Sequence, residues 1–598
     1  MFSNAARTPR ALPRTGELKP GVLPTGGLNL RDAYLDMPPN DAVSLRSIIS
    51  GAYGLAVRNG YQEWASNLPN NLPVSTLMSY YPAVAEQLSI EPSLYVTRQG
   101  QFSAQLPARA AVGNIPLSGQ LFACTNLGIY DITAGGEGPW TPQGGVGPVT
   151  SDFWTWRNFQ NAGGNFLLAT NDEGGYVFYG GASFTSGFDT GFSTQDSGFS
   201  RVEEGQLPTQ INGIDPDLFV YVSVWKGRVW FVEKDSSRAW YLPPAQFTGA
   251  AKQFDFGPQF RHGGFLVALV NWTIDGGIGV DDYLVAVGSE GDVVIYKGYD
   301  PDQAGTDPNA FQLHGIWYVG PLPKGRRQID PYGGDVYVLS VMGVKQISKL
   351  VVTSGDEDQM VNNISAKIDP GITSVMNRVP SSLDYYIKVL PNENGLVVGM
   401  PETLSGEGVV QFYYATPKRA WSALYDLPVQ FWVSHDHLTF AGTNRTGIGL
   451  GGAVYLMFEN ALDDVKLNPM DPDVNGNFIL TRMIPAYSNF GTPGLWKTYS
   501  MVRPTLLIEQ VPSISLTILT DFEFPNVAPV FSTSQLPVSL WDEALWNQAA
   551  WGAASRPLKK WHATKGGGYD ATVQMDFFAQ GGTRIVSHDW WLVSGGPL

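Results

Sequence analysis

The residues with the right chemistry for a metal or catalytic centre are few and widely spaced. His435 and His437 flank Asp436, and in an extended strand both imidazoles would share one face, a geometry that binds zinc when a third ligand arrives. No third ligand lies nearby, and His262, His314, His562 and His588 stand singly along the chain. Ser434-His435-Asp436 is not a triad, because adjacent residues point apart whereas a triad needs Ser and Asp on opposite sides of one imidazole. Asp471-Pro-Asp473-Val-Asn475-Gly476-Asn477 opens with the spacing of a calcium loop. The position that should supply a bidentate Glu is Arg482, so an Asx-rich turn is the expectation. Lys565-Gly566-Gly567-Gly568 lacks the Gly-Lys-Ser/Thr ending of a phosphate loop, and no dinucleotide fingerprint leads from a strand into a helix. Cys124 is the only cysteine, so neither an intramolecular disulfide nor a thiolate cage can form, and its apolar strand suits a small buried hydrophobe. Paired carboxylates for glycoside hydrolysis are defined by a separation in space, and most acids here sit beside Gly, Pro or Asn, where turn-making accounts for them. The reading is no catalytic residue, no metal site and no cofactor.

The elements that would have to position any such group are strands. Between about residues 120 and 460 a short apolar run, a Gly, Asn or Asp turn and a second run ending in an aromatic residue keep returning. Leu121 leads through Gly128 to Tyr130, Phe166–Thr170 turns to Tyr176–Tyr179, and Val229–Val232 turns to Trp240-Tyr241. Tyr283–Val287 turns to Val293–Tyr296, Val336–Leu339 turns at Gly343, and Leu438–Ala441 turns to Val454–Leu456. A strand-turn-strand unit at intervals of roughly 50 residues is the mark of a β-propeller. Many of these strands are apolar at consecutive positions, as a sheet stacked between two neighbours requires. The predicted fold class is all-β: a propeller of five to seven blades over 46–465, with insertions near Asp356–Asn377 and Leu404–Gly408.

Two other regions flank that body. Residues 1–45 carry Pro9, Pro13, Pro20, Pro24, Pro38 and Pro39 without periodicity and read as an extended arm that lies on its own body or on a neighbouring subunit. A short helix capped by Asp41 is expected over Asp41–Ile49, then a turn and strand from Gly51 to Trp64. Residues 466–598 read as a separate antiparallel β-domain, because Ser513–Ile518 and Thr572–Phe577 alternate polar and apolar as strands with one wet face do. Between those strands, Trp541, Trp546 and Trp551 recur every five residues. Neither a helix nor a strand presents them together, so each indole plugs its own pocket, in the domain's core or across a subunit contact.

Composition narrows the function classes. Of 598 residues only 15% are charged, while 68 Gly and 18 Trp provide turns and large anchors, a balance that suits much surface buried against other protein. The net charge of −16 is spread along the chain, which argues against a surface made to grip phosphate. Lys324-Gly-Arg326-Arg327 and Arg556 with Lys559 and Lys560 are expected to be solvated turns. No stretch approaches the length of a transmembrane helix, and residues 1–20 hold no continuous apolar run of a secretory signal, so a soluble protein made in a cytoplasm is expected.

The two ends resemble a known family. Gly26-Gly-Leu-Asn-Leu-Arg-Asp32, Met37-Pro-Pro-Asn-Asp-Ala42, Leu55-Ala-Val-Arg58, Gly60-Tyr61 and Trp64-Ala65 are similar to the opening of tail nozzle, or tail tubular, proteins of short-tailed double-stranded DNA bacteriophages. Phe490-Gly491, Lys497 to Pro504, the Trp541 repeats, Trp591-Leu592 and Gly595–Leu598 resemble the same family's C-terminal domain. The middle matches only as propeller texture. The resemblance implies a non-enzymatic structural virion protein made in the host cytoplasm. It implies a ring, a hexamer in that family, below the portal and adaptor, with a platform-like C-terminal domain, fibres or spikes docked nearby, and DNA ejected through the central channel. An acidic channel wall would repel phosphates and let the duplex slide, within about 8 Å of the wall at physiological salt. Two rivals belong to other classes: a propeller hydrolase or lyase acting on host glycan, and a carbohydrate-binding receptor-recognition spike.

Overall fold

The computed structural model describes residues 16–51, 54–82, 119–144, 146, 149, 151–180, 198–275, 280–304, 306–352, 363–378, 385–400, 411–425, 427, 429–443, 452–459, 464, 478–509, 511–524 and 556–595. They form two compact units, one of residues 59–419 and 423–477, the other of 1–58, 420–422 and 478–598.

The first unit is a β-propeller. Six free-standing small sheets are blades. They run Thr76–Tyr80 to Gly128–Asp131, Trp154–Asn161 to Ser200–Arg201, Phe219–Trp225 to Lys252–Asp255, Leu266–Asp275 to Phe311–Tyr318, Ile329–Tyr332 to Gly343–Gln346, and Val429–His435 to Val454–Met457 with Tyr61–Ala65 added. Tyr386–Leu390, Gly395–Gly399 and Gln411–Ala415, paired antiparallel, hold a further place between the fifth and the last of these. The innermost strands touch in chain order and the last, Val429–His435, returns to the first, Thr76–Tyr80. The ring of described residues is thus closed, with the 386–415 strands as its sixth blade and 429–457 as its seventh. Closure uses the chain's own connectivity: Tyr61–Ala65 is the edge strand of the seventh blade, paired with Val454–Met457, and a few residues later the chain enters the first blade. Ring closure buries the blade faces that an open stack would leave exposed, and the blades keep only short, protected edges.

Burial follows from stacking. Leu121–Thr125, Gly395–Gly399 and Leu438–Thr443 are buried at every residue, because both faces of a blade meet another blade. One large core cluster joins the third, fourth and fifth blades around Trp225, Trp230, Trp272, Leu284 and Val338. Gly343 makes the turn the sequence predicts there: its φ is +101°, and a Cβ would sit 2.1 Å from Asp369 Oδ1. Asp369 begins the helix Asp369–Arg378, and a shorter one spans Ile347–Val352. The longer helix falls at the end of the stretch 356–377 that the sequence marked only as an insertion, and the shorter one precedes that stretch.

The second unit has two sheets. One contains Glu17–Pro20, Ile48–Gly51, Gly54–Val57, Lys497–Ile508, Arg556–Lys559, His562–Gly568 and Arg584–Ser594. The other includes Ala42–Arg46, Ile479–Pro485, Ser513–Thr520 and Ala571–Ala579. Glu17–Pro20 pairs antiparallel with Asp589–Leu592, so this part of the expected arm is a strand of the sheet. The helix expected over Asp41–Ile49 is absent: Ala42–Arg46 and Ile48–Gly51 are strands. Buried Ala42, Leu45 and Ile48 recur every three residues and mimic a helical face. A register shift at Ala42/Ser44 and the left-handed Ser47, φ 54°, produce that spacing in extended chain. Ala571–Ala579 also departs from the wet-face expectation, being mostly buried. Its polar residues are matched, Thr572 Oγ1 donating to Pro485 O at 2.7 Å and Asp576 pairing with Arg482 at 2.6 Å. No helix of the described residues is long and apolar enough to cross a membrane.

Candidate functional site at the propeller hub

One end of the propeller hub gathers the starts of several inner strands. Ser75 and Thr76 open the first blade, Phe153 and Trp154 the second, Arg327 precedes the fifth, Tyr385 and Tyr386 the sixth. Gly325, with φ +113°, bends the approach to the fifth blade so that Arg326 and Arg327 follow a turn only glycine adopts without strain.

Arg327 reaches across this end. Its guanidinium donates to Ser75 O at 2.7 Å, to Trp154 O at 3.1 Å and to Thr76 Oγ1. It also lies over the rings of Phe153 at 4.7 Å and Phe431 at 4.3 Å. One side chain from the fifth blade thereby engages the first, second and seventh. Arg326 turns the other way, donating to Leu266 O and Val267 O, both at 3.2 Å, with its guanidinium over Phe265. Burial lowers the Arg326 pKa, opposed by the more distant charges of Asp235, Asp172 and Glu173. Lys324 is exposed, as a solvated turn requires, but for Arg326 and Arg327 the sequence reading is corrected. An arginine in a Gly-containing turn gives no sign of its depth unless the strand it introduces is known to be central.

Phe153, Thr155, Asp172, Gly325, Arg326, Arg327, Tyr385 and Tyr386 line a small pocket here, a cavity of about 20 Å³ that is partly open to solvent and has room for about one water molecule. Thr155 Oγ1 shares a 2.8 Å hydrogen bond with Thr170 Oγ1. Tyr385 is 2% exposed and its hydroxyl has no hydrogen-bond partner; burial raises its pKa. Asp152, beside the pocket, accepts from Ser75 Oγ at 2.5 Å, and burial raises its pKa against that bond and the charge of Arg327. The arrangement offers donors, one lining carboxylate and aromatic walls.

The residues singled out in the sequence fall elsewhere. His435 ends its strand, and Asp436 and His437, at φ 50° and 65°, make a two-residue hairpin turn, so the two imidazoles do not share a strand face. His435 is buried, bonded through Nδ1 to Ser79 Oγ at 2.7 Å and stacked on Tyr81, and burial lowers its pKa. Among the described residues no group of three or more His, Cys, Asp or Glu could hold a metal ion. Cys124 is buried, and burial raises its pKa well above the usual thiol value. Lys565 to Gly568 form part of a strand paired with Lys497–Ile508. Trp541, Trp546 and Trp551, and the Asp471–Asn477 segment, lie outside the described residues. In the N-terminal motif, Asn29 Nδ2 donates to Asp32 at 2.9 Å and Asp41 at 2.7 Å, while Asn29 Oδ1 accepts from the amides of Arg31 and Asp32. That motif builds a loop. Lys497, fully buried, donates to the carbonyls of Thr492, Leu495 and Tyr569 and ties three turns together.

No protein-family model matches the chain, and no curated protein matches it. Among solved structures the chain is similar to a candidate 6-phosphogluconolactonase from Bacteroides fragilis, at 13% identity over 53% of this chain and 84% of that one, with a TM-score of 0.30. It is similar to YCF48 bound to D1 peptide at 10% identity, covering 56% and 89%, TM-score 0.25. A Bacillus subtilis arabinoxylan arabinofuranohydrolase of glycoside hydrolase family 43 matches at 11% identity, covering 81% and 88%, TM-score 0.22. Likenesses this distant carry no argument about activity. The class the strand pairing defines is a β-propeller protein with a second, two-sheet β unit.

Proposed function

We propose that the protein is a non-enzymatic structural component of a bacteriophage tail. In this reading copies of the chain form a homo-oligomeric nozzle ring below the portal and adaptor, dock fibres or spikes, and pass double-stranded DNA without reading its sequence. The observation that carries it is a row of apolar side chains on the outer face of the seven-stranded sheet. Leu18, Trp591 and Met501 are direct neighbours across three paired strands and are 52%, 39% and 40% exposed. Their chain neighbours Trp590 and Leu592 face inward, at 2% and 1%. A sheet face that leaves three large apolar groups abreast in water is fitted to another protein surface. A ring needs such faces, because each subunit offers two different patches to its neighbours. The sequence resemblance at both ends supports the same assignment.

The glycan-hydrolase alternative needs two carboxyl groups flanking a bond, about 5 to 9.5 Å apart. The hub pocket lining brings one, Asp172. Electron microscopy of the purified protein and of the phage particle tests the proposal. A ring on the tail axis is the expected result; a peripheral spike, or turnover of host polysaccharide by the purified chain, would overturn it.

A further inference from the structure

We propose that a second copy of this chain sets the exposed aromatic group around Tyr34 and Phe524, with its acidic rim, against the row of Leu18, Trp591 and Met501, with its basic rim. The contact rests on the reading of that row as a subunit surface. Both surfaces belong to the second unit.

The row has a cationic flank. Met501 stands opposite Ala563 and Thr505 opposite Lys559. Side chains alternate along a strand, so Lys559 and Lys565 come out on the face that carries Met501, while Gly566, next in the chain, faces Ile518 of the other sheet. Residues 556–565 hold four Lys or Arg and no Asp or Glu. Lys559, Lys560 and Lys565 are exposed, with no acidic partner among the described residues. Arg503, nearer the row, is already neutralised by Asp589 at 2.7 Å, and its guanidinium lies over Trp561.

The complementary surface is at the turn that ends Ser513–Thr520. Glu523 N donates to Thr520 O and closes a two-residue turn of Asp521 and Phe522, at φ 48° and 66°. A phenylalanine in that left-handed region is strained, and its ring packs on Tyr487 at 4.6 Å and Tyr34 at 6.3 Å. Phe524 joins them, 5.3 Å from Tyr34. Tyr34 and Phe524 are exposed all the same, and Leu35 is 73% exposed. Asp36, Asp521 and Glu523 rim the group and are exposed. No Lys or Arg occurs in 32–42 or in 513–524.

Charge selects the occupant. An apolar row with a cationic rim matches an apolar group with an anionic rim, and a protein contact has such an apolar centre and polar edge. The two surfaces lie on different sheets of one unit, so a copy that uses one leaves the other for a third copy, as head-to-tail association requires. Double-stranded DNA would offer phosphates to the lysines and nothing to Leu18, Trp591 and Met501.

The test is sedimentation of the full chain at several salt concentrations, with exposed charges reversed on one surface or on both. The native chain should self-associate at or below about 0.1 mM, less tightly as salt rises. Lys559→Glu/Lys565→Glu and Asp36→Lys/Glu523→Lys change exposed side chains and should keep the native fold. Each pair alone places like charges face to face and should weaken association about tenfold. Mixing the two variants in equal amounts, or joining all four substitutions in one chain, should restore it, which a misfolded variant could not do. The contact is overturned by a native chain that stays monomeric at that concentration, by reversed pairs that associate as the native chain does, or by failure of the rescue. It is also overturned if Lys559→Glu/Lys565→Glu weakens binding to a DNA duplex and leaves self-association unchanged. A ring on the tail axis without charge rescue removes this contact and keeps the tail assignment; rescue without such a ring does the reverse.

Discussion

In the propeller unit Leu438–Thr443 is buried at every position, whereas in the terminal unit Arg584–Ser594 buries Trp590 and Leu592 and leaves Trp591 in water. Both segments are antiparallel strands rich in large side chains. What separates them is the number of sheets each one touches. A blade strand lies between two neighbours, so it spends both faces on the fold, and its polar needs are met inside, as Arg327 shows. A strand of the terminal sheet spends one face and keeps the other available. Stability should therefore concentrate at the hub, and association at the outer sheet.

The sharpest way to break that contrast is Arg327→Ala. It deletes the donors to Ser75 O, Trp154 O and Thr76, leaves buried carbonyls unpaired, and removes the cation from Phe153 and Phe431. A loss of about 3 to 5 kcal/mol is expected, read as a lower denaturation midpoint at unchanged slope. A loss below about 1 kcal/mol would mean that the hub is held by apolar stacking alone.

Second in size is the pH response of the terminal unit. Burial pushes the His588 pKa down to about 4, against the neighbouring charge of Asp589. The unfolded chain titrates that imidazole near 6.5, so between the two values it binds more protons than the folded chain. The stabilisation is complete above about pH 6.5, is lost as pH falls toward 4, and changes no further below that; its full size is roughly 3 kcal/mol. Unfolding followed by the tryptophan fluorescence of this unit should show that decline, and His588→Leu should flatten it. An unchanged profile in the variant would assign the acid sensitivity to other groups, His435 in the propeller among them.

The smallest effect on stability, and the largest on association, is expected from Trp591→Ser. A half-exposed outer residue should alter chain stability by no more than about 0.5 kcal/mol, while sedimentation should show the proposed ring dissociating. Retention of the oligomer would move the contact to another face. Lys226→Met offers the calibration in the propeller: its partly exposed pair with Asp282, at 2.9 Å, should contribute less than about 1 kcal/mol.

The propeller could be read in the sequence because stacked blades demand runs such as Leu121–Thr125 and Val293–Tyr296, with glycine turns between them. The blade at 386–415 escaped notice. Its strands are as apolar as the others, but Tyr386–Leu390 follows the helix Asp369–Arg378, which breaks the rhythm. The hub pocket was invisible for a different reason. Its lining comes from positions 153, 172, 326 and 385, which only ring closure brings together. Likewise, the pairing of Glu17–Pro20 with Arg584–Ser594 joins strands more than 500 residues apart in sequence, and no local pattern announces a partner so remote.

The edge strand of the seventh blade also has a temporal consequence. Asn59 Nδ2 donates to Phe458 O across a separation of 399 residues. At a synthesis rate of about 5 to 20 residues per second, the partner emerges from the ribosome on the order of 20 to 80 seconds after the strand that awaits it. Throughout that interval Tyr61–Ala65 is an unlatched β-edge on a nascent chain. Chaperone dependence during translation, more than intrinsic instability, should set the yield of correctly closed molecules.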